Sequence, residues 1–221
     1  LNEMARVNQQ GDIDAPNRWI EYNEVLLEFD TLVRNGNWSD TRALGQQPGF
    51  APIYDGNQFG TREDAVLGRR ESLACLEEIR ASDVWMRMES VLRSGIVYRE
   101  YDNTKLPFFV EMPDINVVRS FARALRAEIH VAMDEGRPRD ALRAIELGLA
   151  MAQGSHDSVN LITWLVGHAQ CHILLDGIRA EVLAGRWSTE EMHELLGLVD
   201  QFKPRFAELA LEGERLAVTV T

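Results

Sequence analysis

Between Asp114 and Val199 apolar side chains recur every three or four residues, in successive runs that are each closed by a glycine. This feature constrains the fold most, because a 3.6-residue period buries one stripe of a helix and glycine ends it. Asp114 is placed to cap a first helix whose stripe is Val118, Phe121, Ala122, Leu125, Ile129, Ala132 and Met133. Gly136 stops it, and Pro138 opens the next helix where a missing N–H costs nothing. That helix carries Ala141, Leu142, Ile145, Gly148, Leu149 and Ala152, with Gly154 and Ser155 expected to turn the chain. A long helix is predicted from Asp157 to Leu183, stopped by Gly185. Ser188-Thr189-Glu190-Glu191 then reads as a capping box for a further helix, which Pro204 breaks before Phe206–Leu216 continues it. The expected class is all-α, built of antiparallel helical hairpins, with residues 114–203 as its core.

The N-terminal half follows the same rules with one interruption. Trp19, Tyr22, Val25, Leu26 and Phe29 predict a helix over Pro16–Arg34, with Asp14 as its cap. Residues 35–60 hold five glycines together with Trp38, Phe50, Tyr54 and Phe59, too much glycine for a helix. A long ordered loop lying across the helices is expected there, and such loops are often functional. Thr61-Arg62-Glu63-Asp64 resembles a capping box for a helix running to Arg80. Ser82 is placed to cap another, with Val84, Trp85, Met88, Val91 and Leu92 as its stripe and Gly95 as its end. The stretch 96–113 is the one place where a short strand or hairpin is expected.

The 221 residues carry 23 Lys+Arg against 35 Asp+Glu, a formal charge of -12. That balance argues against nucleic acid, whose phosphates need clustered cations, and against a polybasic membrane contact within this segment. No apolar run is long enough to span a bilayer. Cys75 and Cys171 exclude a disulfide-dense fold and leave one bridge or two buried thiols. The chain starts at Leu1 and ends in mid-pattern, so residues 1–221 read as one helical domain cut from a longer chain.

Residues 121–153 resemble a tetratricopeptide-type helix pair, through Gly136 in the turn, Ala141, Ile145 and the small Gly148. Gly185-Arg186 lies 49 residues after Gly136-Arg137, wider than the regular spacing of that repeat. The likeness implies a right-handed helical array, an α–α superhelix. Asp12-Ile13-Asp14-Ala15-Pro16-Asn17, Gly136–Leu149, Leu161–Ala169 and Glu212-Gly213-Glu214-Arg215 together resemble a group of uncharacterised helical proteins of planctomycete bacteria. Members often carry a membrane anchor ahead of such a domain. The resemblance thus implies an extracytoplasmic setting and no known activity.

Three groups of side chains could carry chemistry. Arg119, Arg123 and Arg126, with His130, fall on one helical face, which suits an anion or carboxylate clamp or a solvated face paired with Asp140 and Glu146. Trp38 and Tyr54 are candidate binding residues of the loop. His168 and His172 have the four-residue spacing of helical metal ligands but lack the Glu of a zinc-protease motif, so they read first as partly buried core histidines. Cys171 reads as buried and inert. No cofactor motif is present. The favoured function is a non-enzymatic interaction or scaffold domain for a protein or peptide partner, itself compatible with a homo-oligomer. The alternatives are a ligand-binding or metal-dependent enzyme with its pocket near His168 and His172 under the 35–60 loop, and a structural module of a membrane-anchored protein.

Overall fold

Phe121 is fully buried, with the rings of Phe29 and Trp85 against it. The computed structural model describes residues 16–35, 73–95, 97, 114–156, 160–203 and 211, and the description below is of these. They contain α1 (Trp19–Asn35), α2 (Val84–Ser94), α3 (Asp114–Asp134), α4 (Pro138–His156), α5 (Leu161–Leu183) and α6 (Thr189–Gln201). A further helical segment covers 73–81. The result is an all-α bundle. The loop 35–60 beyond Asn35, the capping box at Thr61 and the expected strand within 96–113 lie outside the described residues, apart from Val97.

The most extensive packing is among α3, α4 and α5, with α1 laid on α3, α2 on α1 and α4, and α6 on α4. The predicted stripes of α3 and α4 are buried throughout. The Phe29 ring of α1 lies 4.7 Å from Phe121 and the Trp85 ring of α2 meets it edge-on at 5.0 Å. Burying such side chains contributes about 1.5–3 kcal/mol each, non-directionally, and α3 contributes more of them than any other described helix because it has neighbours on several sides.

The turn after α3 explains its sharpness. Gly136 has φ 68° and Gly185, after α5, φ 66°. In both turns the following arginine returns a backbone hydrogen bond five residues, Arg137 to Ala132 O at 2.7 Å and Arg186 to Glu181 O at 3.3 Å. This left-handed C-terminal cap satisfies carbonyls that the helix end leaves open. The capping box is present as read: Ser188 Oγ accepts from Glu191 N at 3.3 Å and the Glu191 carboxylate accepts from Ser188 N at 2.8 Å.

Two boundaries differ from expectation. Gly154 and Ser155 are helical, and α4 runs on to His156. The long helix starts at Leu161, where Asn160 Oδ1 accepts from Ile162 N and Thr163 N at 2.9 and 3.2 Å. An Asn side chain that meets two open N–H groups is a stronger start signal than Asp157. Ser82 Oγ accepts from Val84 N at 3.3 Å, but the cap position itself is Asp83.

Glycines set the spacing of α4 and α5. A Cβ at Gly167 would lie 3.0 Å from His156 N and 3.1 Å from Ala152 O, and one at Gly148 2.6 Å from Leu174. These pairs run in opposite senses along the two helices, so α4 and α5 are antiparallel. Contacts of α3 with α5 run the other way. Arg126 lies on Gly177, His130 on Glu181, and Asp134 meets Arg186, so α3 and α5 are parallel.

Candidate functional site

Because α3 and α5 run side by side in the same direction, residues near 119–126 on one face those near 165–176 on the other. A groove of about 540 Å3 lies between them. Arg119, Arg123 and Arg126 form one wall, and Leu165, His168, His172, Ile173 and Asp176 belong to the other. The arginine stripe and the histidine pair, read separately from the sequence, are therefore two sides of one site.

The arginines are unequally buried. Arg119 and Arg123 are half-buried, while Arg126 is 4% exposed. Its stem crosses α5 at Gly177, where a Cβ would lie 2.8 Å from Arg126 Cγ. Burial pushes the Arg126 guanidinium down to about 10, Asp176 opposes the shift and Arg123 adds to it. The group thus keeps its charge at neutral pH in a partly desolvated setting. Gly177 falls outside every apolar stripe of the sequence. A glycine inside a long helical pattern that continues past it is the available signal, since it marks close approach.

His168 and His172 correct an expectation: both are exposed, not core histidines. The stripe Leu161, Leu165, His168, His172, Leu175 and Val182 is the outer side of α5. Leu165 is 52% exposed and Leu175 48%. The inner side is Val166, Gly167, Gln170, Cys171, Leu174, Gly177, Ile178 and Glu181. The His168 ring stacks on Trp164, with centroids 5.7 Å apart and planes at 10°. His172 Nδ1 is 3.5 Å from Asp176 Oδ2.

His130 is also corrected. It does not share a solvated face with the arginines but is buried, with Nδ1 2.5 Å from Glu181 Oε1, and Glu181 is itself fully buried. Arg186 Nε stands 3.3 Å from the other Glu181 oxygen and its fork holds Asp134. Asp140 and Glu146, expected beside the arginine stripe, pair instead with Arg137 and Arg93.

Cys171 is buried, with Sγ 3.7 Å from His156 Nε2. This is within nucleophile–base reach, but burial drives the two groups in opposite directions. It pushes the Cys171 thiol up to about 12 and, together with the neighbouring His168, holds His156 below its ordinary range. Both therefore stay neutral, the opposite of an activated thiolate. Cys75 is likewise a free, buried thiol, raised to about 12 by burial and Glu78. Among the described residues no group of three or more His, Cys, Asp or Glu could hold a metal ion.

A second cavity, about 230 Å3, lies among α2, α3 and α4. Its apolar floor is Trp85, Leu125 and Leu147, and its rim charges are closed on one another. Arg80 grips Glu128 through two bonds of 2.9 and 3.0 Å, and Arg143 holds Glu89 at 3.0 Å. The α3/α5 groove is the more open to a charged ligand. Trp38 and Tyr54 lie outside the described residues. Among those residues no helix is long and apolar enough to cross a membrane. No protein-family model, curated protein or solved structure matches this chain.

Proposed function

We propose that this chain is a helical interaction domain that seats an acidic segment of a partner protein along the α3/α5 face. The observation that carries the reading is the convergence of Arg119, Arg123, Arg126, His168 and His172 on one groove, lined also by Leu165, Ala169, Ile173 and Asp176. In a chain of net charge -12 these include three arginines clustered on one helix face. Arginine forks match carboxylates bidentately, and desolvation strengthens the bond. The apolar side chains Ile162, Leu165 and Leu175 stand exposed on the same helix, so an amphipathic segment finds both kinds of contact.

A tetratricopeptide-like stacking of hairpins fits this use. Supporting it are the two Gly-Arg turns 49 residues apart, the parallel run of α3 and α5, and the seating of α1 on α3 and of α2 on α4. In such stacks equivalent helices share one face, which becomes the docking surface.

The test is a selection of displayed random peptides on the purified chain and on its Arg123→Glu variant. The expected outcome is recovery of peptides with Asp or Glu beside apolar residues, lost on the variant. Recovery of nothing, or of the same peptides on both proteins, would refute the reading.

A further inference from the structure

We infer that the cavity among α2, α3 and α4 is a second binding site, and that it takes an uncharged aromatic ring of the size of indole. The inference is independent of the α3/α5 groove.

Size and lining are the first argument. The cavity measures about 230 Å3, and its apolar surface is supplied by Trp85, Leu125, Ala144 and Leu147. Leu125, Ala144 and Leu147 are buried, and the Trp85 ring is braced edge-on by Phe121 at 5.0 Å. Protein interiors are close-packed, so a recess of this size that the chain's own side chains leave unfilled is uncommon. An apolar cavity of about 150 Å3 holds benzene, so this one has room for a second fused ring. A ring displaces water from such a floor at a gain.

The rim supplies the second argument. Three arginines and three carboxylates stand on it, and each arginine is paired with one of the carboxylates. Arg80 is with Glu128, Arg137 with Asp140 and Arg143 with Glu89. Glu128, itself 7% exposed, takes both bonds of the Arg80 fork, at 2.9 and 3.0 Å. A ligand of either charge meets its own sign on this rim as often as the opposite one, and has to draw a partner away from an existing pair. An uncharged ligand leaves the pairs intact.

The pairing also selects an aromatic ring over an aliphatic one. A guanidinium is flat, and its N–H groups lie in its plane. Arg80 spends Nε and one Nη on Glu128, and Arg137 spends Nε on Glu135 at 2.9 Å and Nη1 on Asp140. Groups engaged along their edges keep their faces. A guanidinium face stacks on an aromatic ring without giving up its carboxylate. Trp85 offers a further ring for edge-on or offset contact. An aliphatic ligand of the same shape gains the burial alone.

The test is calorimetric titration of the full chain with indole, phenol, cyclohexanol, indole-3-acetate, tryptamine and N-acetyltryptophanamide. Indole should bind with a dissociation constant on the order of 0.1–1 mM, as fits a ligand of that size. Phenol should bind about fivefold tighter than cyclohexanol, which matches it in size and hydroxyl but has no aromatic face. Indole-3-acetate and tryptamine, one of each charge, should each bind about tenfold more weakly than indole. Ala144→Leu, which fills the floor, should abolish indole binding, and Leu147→Phe serves if the first fails to fold. No saturable binding of indole, or binding indifferent to both variants, overturns the site. Phenol and cyclohexanol binding alike overturns the aromatic ring, and a charged analogue binding as tightly as indole overturns its neutrality. N-acetyltryptophanamide separates the sources of the ring. Weaker binding than indole supports a free molecule, and tighter binding supports a tryptophan side chain presented by a partner.

Discussion

His156 is a single imidazole whose surroundings fix its charge. Burial and His168 hold it below the ordinary value of 6.5, so the fold favours the neutral ring. The sign follows from linkage. The contribution is fully present above the unfolded value and is lost as the pH falls toward the folded one. Thermal unfolding followed by circular dichroism should show stability declining from pH 7 to pH 5, and His156→Leu should flatten that decline. The thiols make a companion case. With Cys75 and Cys171 both pushed up to about 12, neither should react with a thiol-specific disulfide reagent at pH 8 while folded. Both should react in guanidinium, and a stoichiometric reaction of the native chain would contradict this account.

At the scale of elements, α4 and α5 are held by a glycine rather than by a large side chain. An alanine at Gly167 gains about 1 kcal/mol of helix propensity but drives its methyl into the α4 backbone, which cannot step aside. The expected net cost of Gly167→Ala is about 1–2 kcal/mol in urea unfolding. The α3/α5 contact rests in part on the buried His130–Glu181 pair, so His130→Ala leaves the sealed-in Glu181 side chain without its imidazole partner and facing Arg186. That change should cost about 3–5 kcal/mol, and Glu181→Gln, which keeps a hydrogen-bonding side chain, should cost less.

The same two helices show what could be read in advance. The α3 and α4 stripes were legible because their apolar residues keep one period and their ends carry Gly136 and Pro138. The face of α5 was not. Its buried side mixes Val166, Leu174 and Ile178 with two glycines, a glutamine, a cysteine and a glutamate, while Leu165 and Leu175 stand exposed on the other side. Apolar side chains thus occur on both sides of the helix, and their period alone does not tell which side is buried. The site was half legible. The arginines and the histidines were each visible as a spacing, but only the parallel run of α3 and α5 brings them together.

For the whole molecule, Phe121 is the common wall of the N-terminal helices, with Phe29 and Trp85 resting on it. Phe121→Ala should cost about 3–5 kcal/mol, and the loss should be unevenly spread. Hydrogen exchange should show protection falling in 19–35 and 84–94 well before 138–183. Uniform loss across the helices would place the weak point elsewhere.

That position in the chain also has a meaning in time. The ribosome completes α1 at Asn35 and makes Phe121, its main seat, only some 86 residues later. At roughly 5–20 residues per second this is on the order of 4–17 s. Through that interval α1 and α2 can find each other, but the ring both close on does not yet exist. The nascent chain carries Phe29 uncovered, a natural target for a chaperone, until α3 emerges.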